Sequence, residues 1–223
     1  MSDKLNNIIF IGVPDGLEHQ IGSFRVDPDK MLPVEITTGG DRYDIHDLAW
    51  EQIVAAMLKI LAYAPEHEDA PYYRDFVLAV TPDIINELTE TAIIKTRNGD
   101  LELAEEIFLA LRGLQPTDQQ PLVNLALLYE QRAQAASDVG NEAEAADYVE
   151  RAFEVYQELF AQEETIPEAH LNAGYFFVRQ KSYELAKRHL EVYVNRGEDA
   201  ERREEAREAV SQIESQDLGD TLF

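Results

Sequence analysis

Apolar and polar positions follow two different periods along this chain. Within residues 1–44 no helical period is present, and apolar residues alternate with polar ones on both sides of the sequence Asp-Pro-Asp-Lys at 27–30. Alternation is typical of β-strands, and Pro at the second position of a turn presets its backbone angle. We therefore predict a β-hairpin over about residues 22–36, in which Pro33 confines the second strand to an edge. The apolar stretch 8–11 is expected to lie either beside this hairpin or on the helices.

The next segment, residues 45–81, changes to the period of an amphipathic helix. A first helix is expected to end at Ala64-Pro65, and a second helix to begin at Pro71. One face of the first helix carries Trp50, Ile53, Val54, Met57, Ile60 and Leu61. This pair has the form of a helical hairpin, and we interpret it as an atypical first unit. Thr81-Pro82 then predicts the start of the next helix, with Thr as the N-cap and Pro at the first helical position.

Three later turns share one spacing. Gly99, Gly140 and Lys181 follow each other at intervals of 41 residues. From each turn a small residue comes at position +5, an apolar residue at +9 and another packing residue at +12. These positions hold Ala104, Phe108 and Leu111, then Ala145, Val149 and Ala152, then Ala186, Leu190 and Tyr193. A repeat of this length predicts a stacked array of helical hairpins over residues 82–223.

The best-matching stretch, 85–118, carries Ala92 where two helices would cross, Gly99-Asp100 in the turn, Ala104 and Phe108 in the return helix, and Pro116 after it. In these features the chain resembles bacterial-type tetratricopeptide repeat (TPR) proteins, and 119–166 and 167–200 resemble two further repeats. The resemblance implies an all-α fold, a right-handed superhelix of antiparallel helix pairs, preceded here by the extended or β-hairpin segment 1–44. A final helix at about 199–214 has one apolar face and suits a capping helix.

The repeat is longer than the 34 residues expected of that family. The excess falls in the second hairpin, where the stretch before Gly140 and the stretch before Pro167 are each about seven residues longer than the pattern requires. Seven residues are close to two helical turns, so the apolar face is preserved. We predict a long second hairpin, with helices at about 119–138 and 141–162, that projects past its neighbours.

Composition narrows the classes of partner. The chain has 223 residues and a formal net charge of −25, from 44 acidic and 19 basic side chains. Nucleic acids and anionic membranes are not expected as partners, because binding them requires clustered Lys and Arg. The acidity can serve solubility alone, or it can attract a basic partner. Residues 8–13 are too short an apolar run for a signal peptide or a membrane span, so we expect a cytoplasmic location unless a leader precedes this sequence.

Catalytic chemistry has no recognisable motif in this sequence. Cysteine is absent, the five histidines are scattered without metal-ligand spacing, and no nucleophile motif or phosphate-binding glycine loop is present. We therefore expect no catalytic residues, no metal, no cofactor and no enzymatic activity. His170 occupies a position where the resemblance implies a packed side chain, so we interpret it as structural.

The resemblance implies a concave groove lined by the first helix of each repeat. On this sequence its exposed positions would be Asn86, Thr89, Ile93, Arg97, Val123, Leu127, Gln131, Leu171, Tyr175, Val178 and Arg179. We expect a non-catalytic adaptor that binds a protein or peptide, basic or with an apolar helix, through this groove or the long hairpin. Two alternatives stay open: homo-oligomerisation through the same surfaces, and occupation of the groove by the chain's own N-terminal segment. A small-ligand binder or enzyme is the remaining alternative.

Overall fold

A computed structural model describes residues 3–13, 20–36 and 49–220, except for the side chains of residue 3 and of 216–220. Predictions that concern 14–19 and 37–48, which belong to the N-terminal segment and the start of the first helical pair, lie outside the described residues. The chain forms two compact units, Met1–Pro121 and Leu122–Phe223. Among the described residues, no helix combines the length and the apolar character that a membrane span requires.

The described part of the first unit contains four short strands followed by four helices. The strands are β1 (Ile8–Ile11), β2 (Gln20–Ile21), β3 (Phe24–Arg25) and β4 (Leu32–Glu35), after a 3-10 turn at Asp3–Leu5. The helices are α1 (Trp50–Tyr63), α2 (Ala70–Val80), α3 (Ile84–Arg97) and α4 (Leu101–Leu114). The predicted end of α1 before Ala64-Pro65 is confirmed.

The strands form two separate two-stranded antiparallel sheets, β1 with β4 and β2 with β3. The predicted turn at 27–30 is present, because the Lys30 amide donates to the Asp27 carbonyl at 3.2 Å. The predicted pairing of the two arms of 22–36 is wrong. β3 folds back on β2 through a tight turn at Gly22, whose φ of 58° favours glycine. β4 instead pairs with β1, which offers a ladder of four residues where β3 offers only two.

The sheets, α1 and α2 share one core. Its buried side chains include Val26, Leu32 and Val34 from the strand segment, Ile53, Met57 and Leu61 from α1, and Tyr73, Phe76 and Val77 from α2. Trp50 is only partly buried, and its ring contacts the Phe76 ring edge-on at 5.3 Å between centroids. The amide of Asp27 also donates to the Tyr72 hydroxyl at 3.1 Å. The described part of the N-terminal segment therefore packs on α1 and α2.

Helix α1 packs against α4 as well as against α2, and α4 in turn packs against α3. The contact between α1 and α4 is close because residue 113 is glycine. A Cβ at Gly113 would lie 2.1 Å from the carbonyl oxygen of Leu61. The Gly113 carbonyl also accepts a hydrogen bond from Arg74 Nε of α2 at 2.6 Å. Contacts between helices that are distant in sequence thus contribute strongly to the first unit.

The second unit is described as helices only. They are α5 (Gln120–Asp138), which begins at the boundary between the units, α6 (Glu142–Phe160), α7 (Pro167–Arg179), α8 (Tyr183–Arg196) and α9 (Ala200–Asp220). The predicted length of the two helices of the second hairpin is confirmed, because α5 and α6 have 19 residues each. α7 packs strongly on α8, and α8 on α9.

The three turns predicted at 41-residue intervals have the same backbone geometry. Gly99, Gly140 and Lys181 all have positive φ, at 79°, 75° and 56°. In each turn this residue donates its amide to the carbonyl three residues earlier, and the next residue donates to the carbonyl five residues before it. This is the pattern of a helix that ends in a left-handed residue. Lys181 adopts it without being glycine.

Several helix ends differ from the prediction, and two of the differences have a local cause. α3 begins at Ile84 rather than at Pro82, because Thr81 ends α2 by donating its amide to the Val77 carbonyl at 2.9 Å. The last helix reaches Asp220 rather than residue 214, since no helix-breaking residue occurs before Gly219.

Candidate functional site

The long hairpin of the second unit extends past the hairpin that follows it. α6 has 19 residues and α7 has 13. At 1.5 Å per residue, α6 is about 9 Å longer than α7. Residues 161–166 join the end of α6 to the start of α7, so the excess length falls at the start of α6 and the end of α5.

A groove of about 920 Å³ lies beside this excess length, within the second unit. We call it the hairpin groove. Its lining residues are Glu130, Ala133, Gln134 and Ser137 of α5; Glu142, Ala145, Ala146, Val149, Glu150 and Phe153 of α6; and Phe176, Phe177, Arg179, Gln180, Ser182 and Leu185 on the opposite side. The α6 residues recur every three or four positions, so they form one stripe along the helix.

Val149 shows that part of this stripe is uncovered. It occupies the +9 position after its turn, as Phe108 and Leu190 do in the other two hairpins. Phe108 is 3% exposed and Leu190 is fully buried, whereas Val149 is only partly buried. The second hairpin therefore leaves open, at the groove, an apolar position that is covered in the other two.

Aromatic rings form the inner end of the groove, away from the turn that joins α5 to α6. The Phe153 and Phe177 rings meet edge-on, with their centroids 6.2 Å apart. Phe177 is 6% exposed and Phe153 is 37% exposed, so one ring is part of the core and the other remains partly open to solvent. Closer to the turn, the floor is formed by the small residues Ala133, Ala145 and Ala146, which leave room for the side chains of a ligand.

An ion pair lies at the same end. Arg179 of α7 donates to Glu130 of α5, and Glu130 also accepts a hydrogen bond from the Tyr156 hydroxyl at 2.7 Å. Burial raises the pKa of Tyr156, so its hydroxyl stays protonated and continues to donate. The Glu130 side chain is only 10% exposed, whereas that of Arg179 is 52% exposed. Donors from two helices thus hold the Glu130 carboxylate in place.

The charge along the groove is negative. Among the described residues that line it, Glu130, Glu142 and Glu150 are acidic and Arg179 is the one cation. Arg179 is already paired with Glu130. Glu142 and Glu150 are both exposed, on α6. The rim of the groove therefore presents two carboxylates beside an apolar floor.

A histidine pair lies behind the Phe177 ring and joins α7 to α8. The Nδ1 atoms of His170 and His189 are 3.0 Å apart, and the Phe160 and Phe177 rings stack on His189 at centroid distances of 4.4 and 5.5 Å. Burial lowers the pKa of both histidines, and the nearby charges of His170 and Arg188 help to lower the pKa of His189 to about 4. Both rings are therefore neutral at pH 7, and one donates to the other. No group of three or more metal-ligating side chains occurs among the described residues.

A smaller cavity lies in the first unit, beside the ion pair between Lys59 and Glu35. Its volume is about 230 Å³. Pockets that bind small molecules usually have about 300–1,000 Å³, so this cavity is smaller than a typical binding site. The hairpin groove is the stronger candidate.

The residues predicted from the resemblance fall in both units. In the first unit α3 carries Asn86, Ile93 and Arg97, which are exposed, and Thr89, which is half-buried. The Thr89 hydroxyl donates to the Ile85 carbonyl at 2.7 Å, one turn earlier in the same helix. A single groove formed by this set together with the residues of the second unit stays a prediction.

In the second unit the predicted residues differ in exposure. Leu127, Gln131 and Arg179 are exposed, Tyr175 and Val178 are half-buried, and Val123 and Leu171 are only 2% and 6% exposed. The prediction that Val123 and Leu171 are exposed is wrong. Five of the six residues 121–126 are buried, so this part of α5 is covered on almost every side. α7 packs against both α6 and α8, which covers more than one of its faces.

Of the predicted set, only Arg179 lines the hairpin groove. The sequence reasoning missed Val149, Phe153, Phe177 and Leu185 as site residues. The feature of the sequence that could have indicated these residues was the lengthened second hairpin. A hairpin that projects past its neighbour must leave part of one face uncovered.

Comparisons with known proteins identify no relative. No protein-family model, no curated protein and no solved structure matches the chain.

Proposed function

We propose that this chain is a non-catalytic protein-binding module of TPR-like helical hairpins, and that the hairpin groove is its binding face. The observation that carries this proposal is the uncovered apolar stripe of α6, with Val149 and Phe153 partly exposed beside an open groove. Partly uncovered apolar side chains within a groove are what the apolar face of a partner segment can bury. The equivalent turns at Gly99, Gly140 and Lys181 support the repeat interpretation.

The chemistry of the groove favours binding over catalysis. Its described lining contains carboxylates, amides and two serines, but no histidine that could act as a base beside a serine. The most deeply held carboxylate, that of Glu130, is engaged by Arg179 and Tyr156. The stripe runs along a helix, which suits an elongated ligand such as a peptide segment lying in a groove.

Self-association is the alternative for the same surface. Pairing two copies through the hairpin groove would bring together the exposed carboxylates Glu142 and Glu150 of both chains. Like charges brought close together oppose association. With a net charge of −25 on each copy, a foreign partner is favoured.

Obstruction of the groove tests the proposal. Ala146 is exposed and lines the groove, whereas Ala143 is exposed on the same helix and does not line it. Ala146→Phe should fill the groove without removing a buried side chain, and Ala143→Phe adds the same ring elsewhere. A displayed library of random peptides would be selected on the wild-type chain, and each enriched peptide titrated against all three proteins.

We expect the enriched peptides to bind wild type and Ala143→Phe equally, and to lose at least about tenfold in affinity for Ala146→Phe. Equal helicity of the three proteins by circular dichroism would show that the fold is retained. Failure to enrich any peptide, or equal binding to both variants, would overturn the proposal. A dimer of wild type by light scattering that Ala146→Phe dissociates would support self-association instead.

A further inference from the structure

We propose that the partner segment is an amphipathic helix with a basic flank, which places its apolar face on the α6 stripe and its Lys or Arg side chains beside Glu142 and Glu150. This inference rests on the proposed function and specifies the chemistry of the ligand. Two features of the groove carry it: the length and composition of its apolar floor, and the sign of its charge.

The apolar floor has the dimensions of a short helix. The lining residues of α6 run from Glu142 to Phe153, a rise of about 16 Å at 1.5 Å per residue, and the apolar ones among them run from Ala145 to Phe153, a rise of about 12 Å. A partner helix of about three turns covers the same length. Small residues at Ala133, Ala145 and Ala146 let such a helix approach closely, and the partly exposed rings and methyl groups of Phe153 and Val149 meet its apolar side chains.

The charges of the groove favour basic residues on the flanks of the partner helix. Glu142 and Glu150 lie on the same side of α6, about two turns apart, and both are exposed. The one cation of the described lining, Arg179, is engaged by Glu130, so it offers little to an acidic ligand. A basic flank therefore finds carboxylates along the α6 side of the groove, whereas an acidic flank is repelled.

The ion pair between Arg179 and Glu130 is already formed and does not bind the ligand. Arg179 donates to Glu130, and the hydroxyl of Tyr156, about one helical turn after Phe153 on α6, also donates to the Glu130 carboxylate. The Glu130 side chain is only 10% exposed and already has two hydrogen-bond partners. It therefore forms part of the groove wall and does not bind a basic ligand. The carboxylates that remain for a ligand are those of Glu142 and Glu150.

Three synthetic helical peptides of about 14 residues would test this inference. They share Leu at positions i, i+3, i+4 and i+7, and their flanking positions are all Lys, all Gln or all Glu. Their affinities for the full-length chain would be measured by fluorescence anisotropy at low and at physiological salt. We expect the Lys peptide to bind at least about tenfold more tightly than the Gln peptide at low salt, with the difference shrinking as salt rises, and the Glu peptide not to bind.

A matched pair of variants distinguishes the effect of the carboxylates in the groove from the effect of the protein's net charge. Glu150→Gln removes a carboxylate from the groove, and Glu154→Gln removes one from an exposed position on the same helix that does not line the groove. Glu150→Gln should weaken the Lys peptide about two- to fivefold and leave the Gln peptide unchanged, as expected for one exposed charge pair. Glu154→Gln should change neither. Adding Glu142→Gln to Glu150→Gln should weaken the Lys peptide further.

The outcomes distinguish this inference from the proposed function. If the Gln and Lys peptides bind equally and both lose affinity for Ala146→Phe, the groove binds apolar helices but the charge selection is wrong. If Glu150→Gln and Glu154→Gln weaken the Lys peptide equally, only the net charge attracts it, and the inference is also overturned. If none of the three peptides binds and the library selection also fails, the proposed function itself falls.

Discussion

Replacement of Gly113 by alanine tests the packing on which the first unit depends. The added Cβ would lie 2.1 Å from the carbonyl oxygen and 2.6 Å from the carbonyl carbon of Leu61 in α1. Ordinary contacts between such atoms are longer than 3 Å, so the α1 and α4 backbones would have to separate by about 1 Å. Because a helix backbone cannot rotate out of the way as a side chain can, we expect this variant to be destabilised.

The size of the effect follows from two opposing contributions. Alanine is favoured over glycine within a helix by about 1 kcal/mol, and overpacking usually costs about 1–3 kcal/mol or more. Since the clash is with backbone, the cost should lie at the upper end. The free energy of unfolding should then fall by about 2 kcal/mol, and the thermal midpoint by about 2–4 °C for each kcal/mol.

Gly174→Ala is the matched control. Gly174 is also a buried glycine within a helix, but its added Cβ would meet the Cδ2 and Cγ atoms of the Leu190 side chain at 2.6 Å, and the nearest backbone atom, the Leu190 nitrogen, lies 3.3 Å away. Urea and thermal denaturation followed by circular dichroism should therefore rank wild type and Gly174→Ala above Gly113→Ala. A Gly113→Ala variant as stable as wild type would refute the close approach of α1 and α4.

Three further predictions concern the turns, the core and the histidine pair. Lys181→Gly should raise the free energy of unfolding by about 0.5–1 kcal/mol, because glycine adopts the positive φ of this turn without Cβ strain; urea denaturation without a gain would contradict this. Ala104→Leu should lower that free energy by about 1–3 kcal/mol through overpacking at a fully buried position, so an unchanged thermal midpoint would count against the repeat register. Acidification from pH 6.5 to about 4 should destabilise wild type more than a His170→Gln, His189→Gln double variant. Burial lowers the pKa of both histidines, so in this range the unfolded chain binds protons that the folded chain does not. If the free energy of unfolding of the two proteins fell in parallel with pH, the prediction would be wrong.

The sequence alone determined the features that depend on neighbours along the chain. The apolar period located α1, and proline or glycine marked several of the helix ends. The 41-residue spacing predicted three equivalent turns, and the structure gives all three residues the same left-handed backbone. Local sequence could do this because helix hydrogen bonds and turn angles join residues within a few positions of one another.

The tertiary structure decided what depends on residues far apart in the chain. The partner of β4 is β1 rather than β3, because a longer ladder and a shared core outweigh the extra cost of closing a longer loop, which grows only slowly with loop length. The pattern of a single strand does not encode which other strand will pair with it.

The hairpin groove has the same origin. The sequence indicated that the second hairpin is long, but the exposure of Val149 depends on where α7 ends beside α6. Likewise, Val123 and Leu171 occupy positions that the repeat pattern predicts to be open, and the structure buries them. Exposure is a property of how neighbouring helices cover a position, so only the packed structure separates the binding stripe from the core.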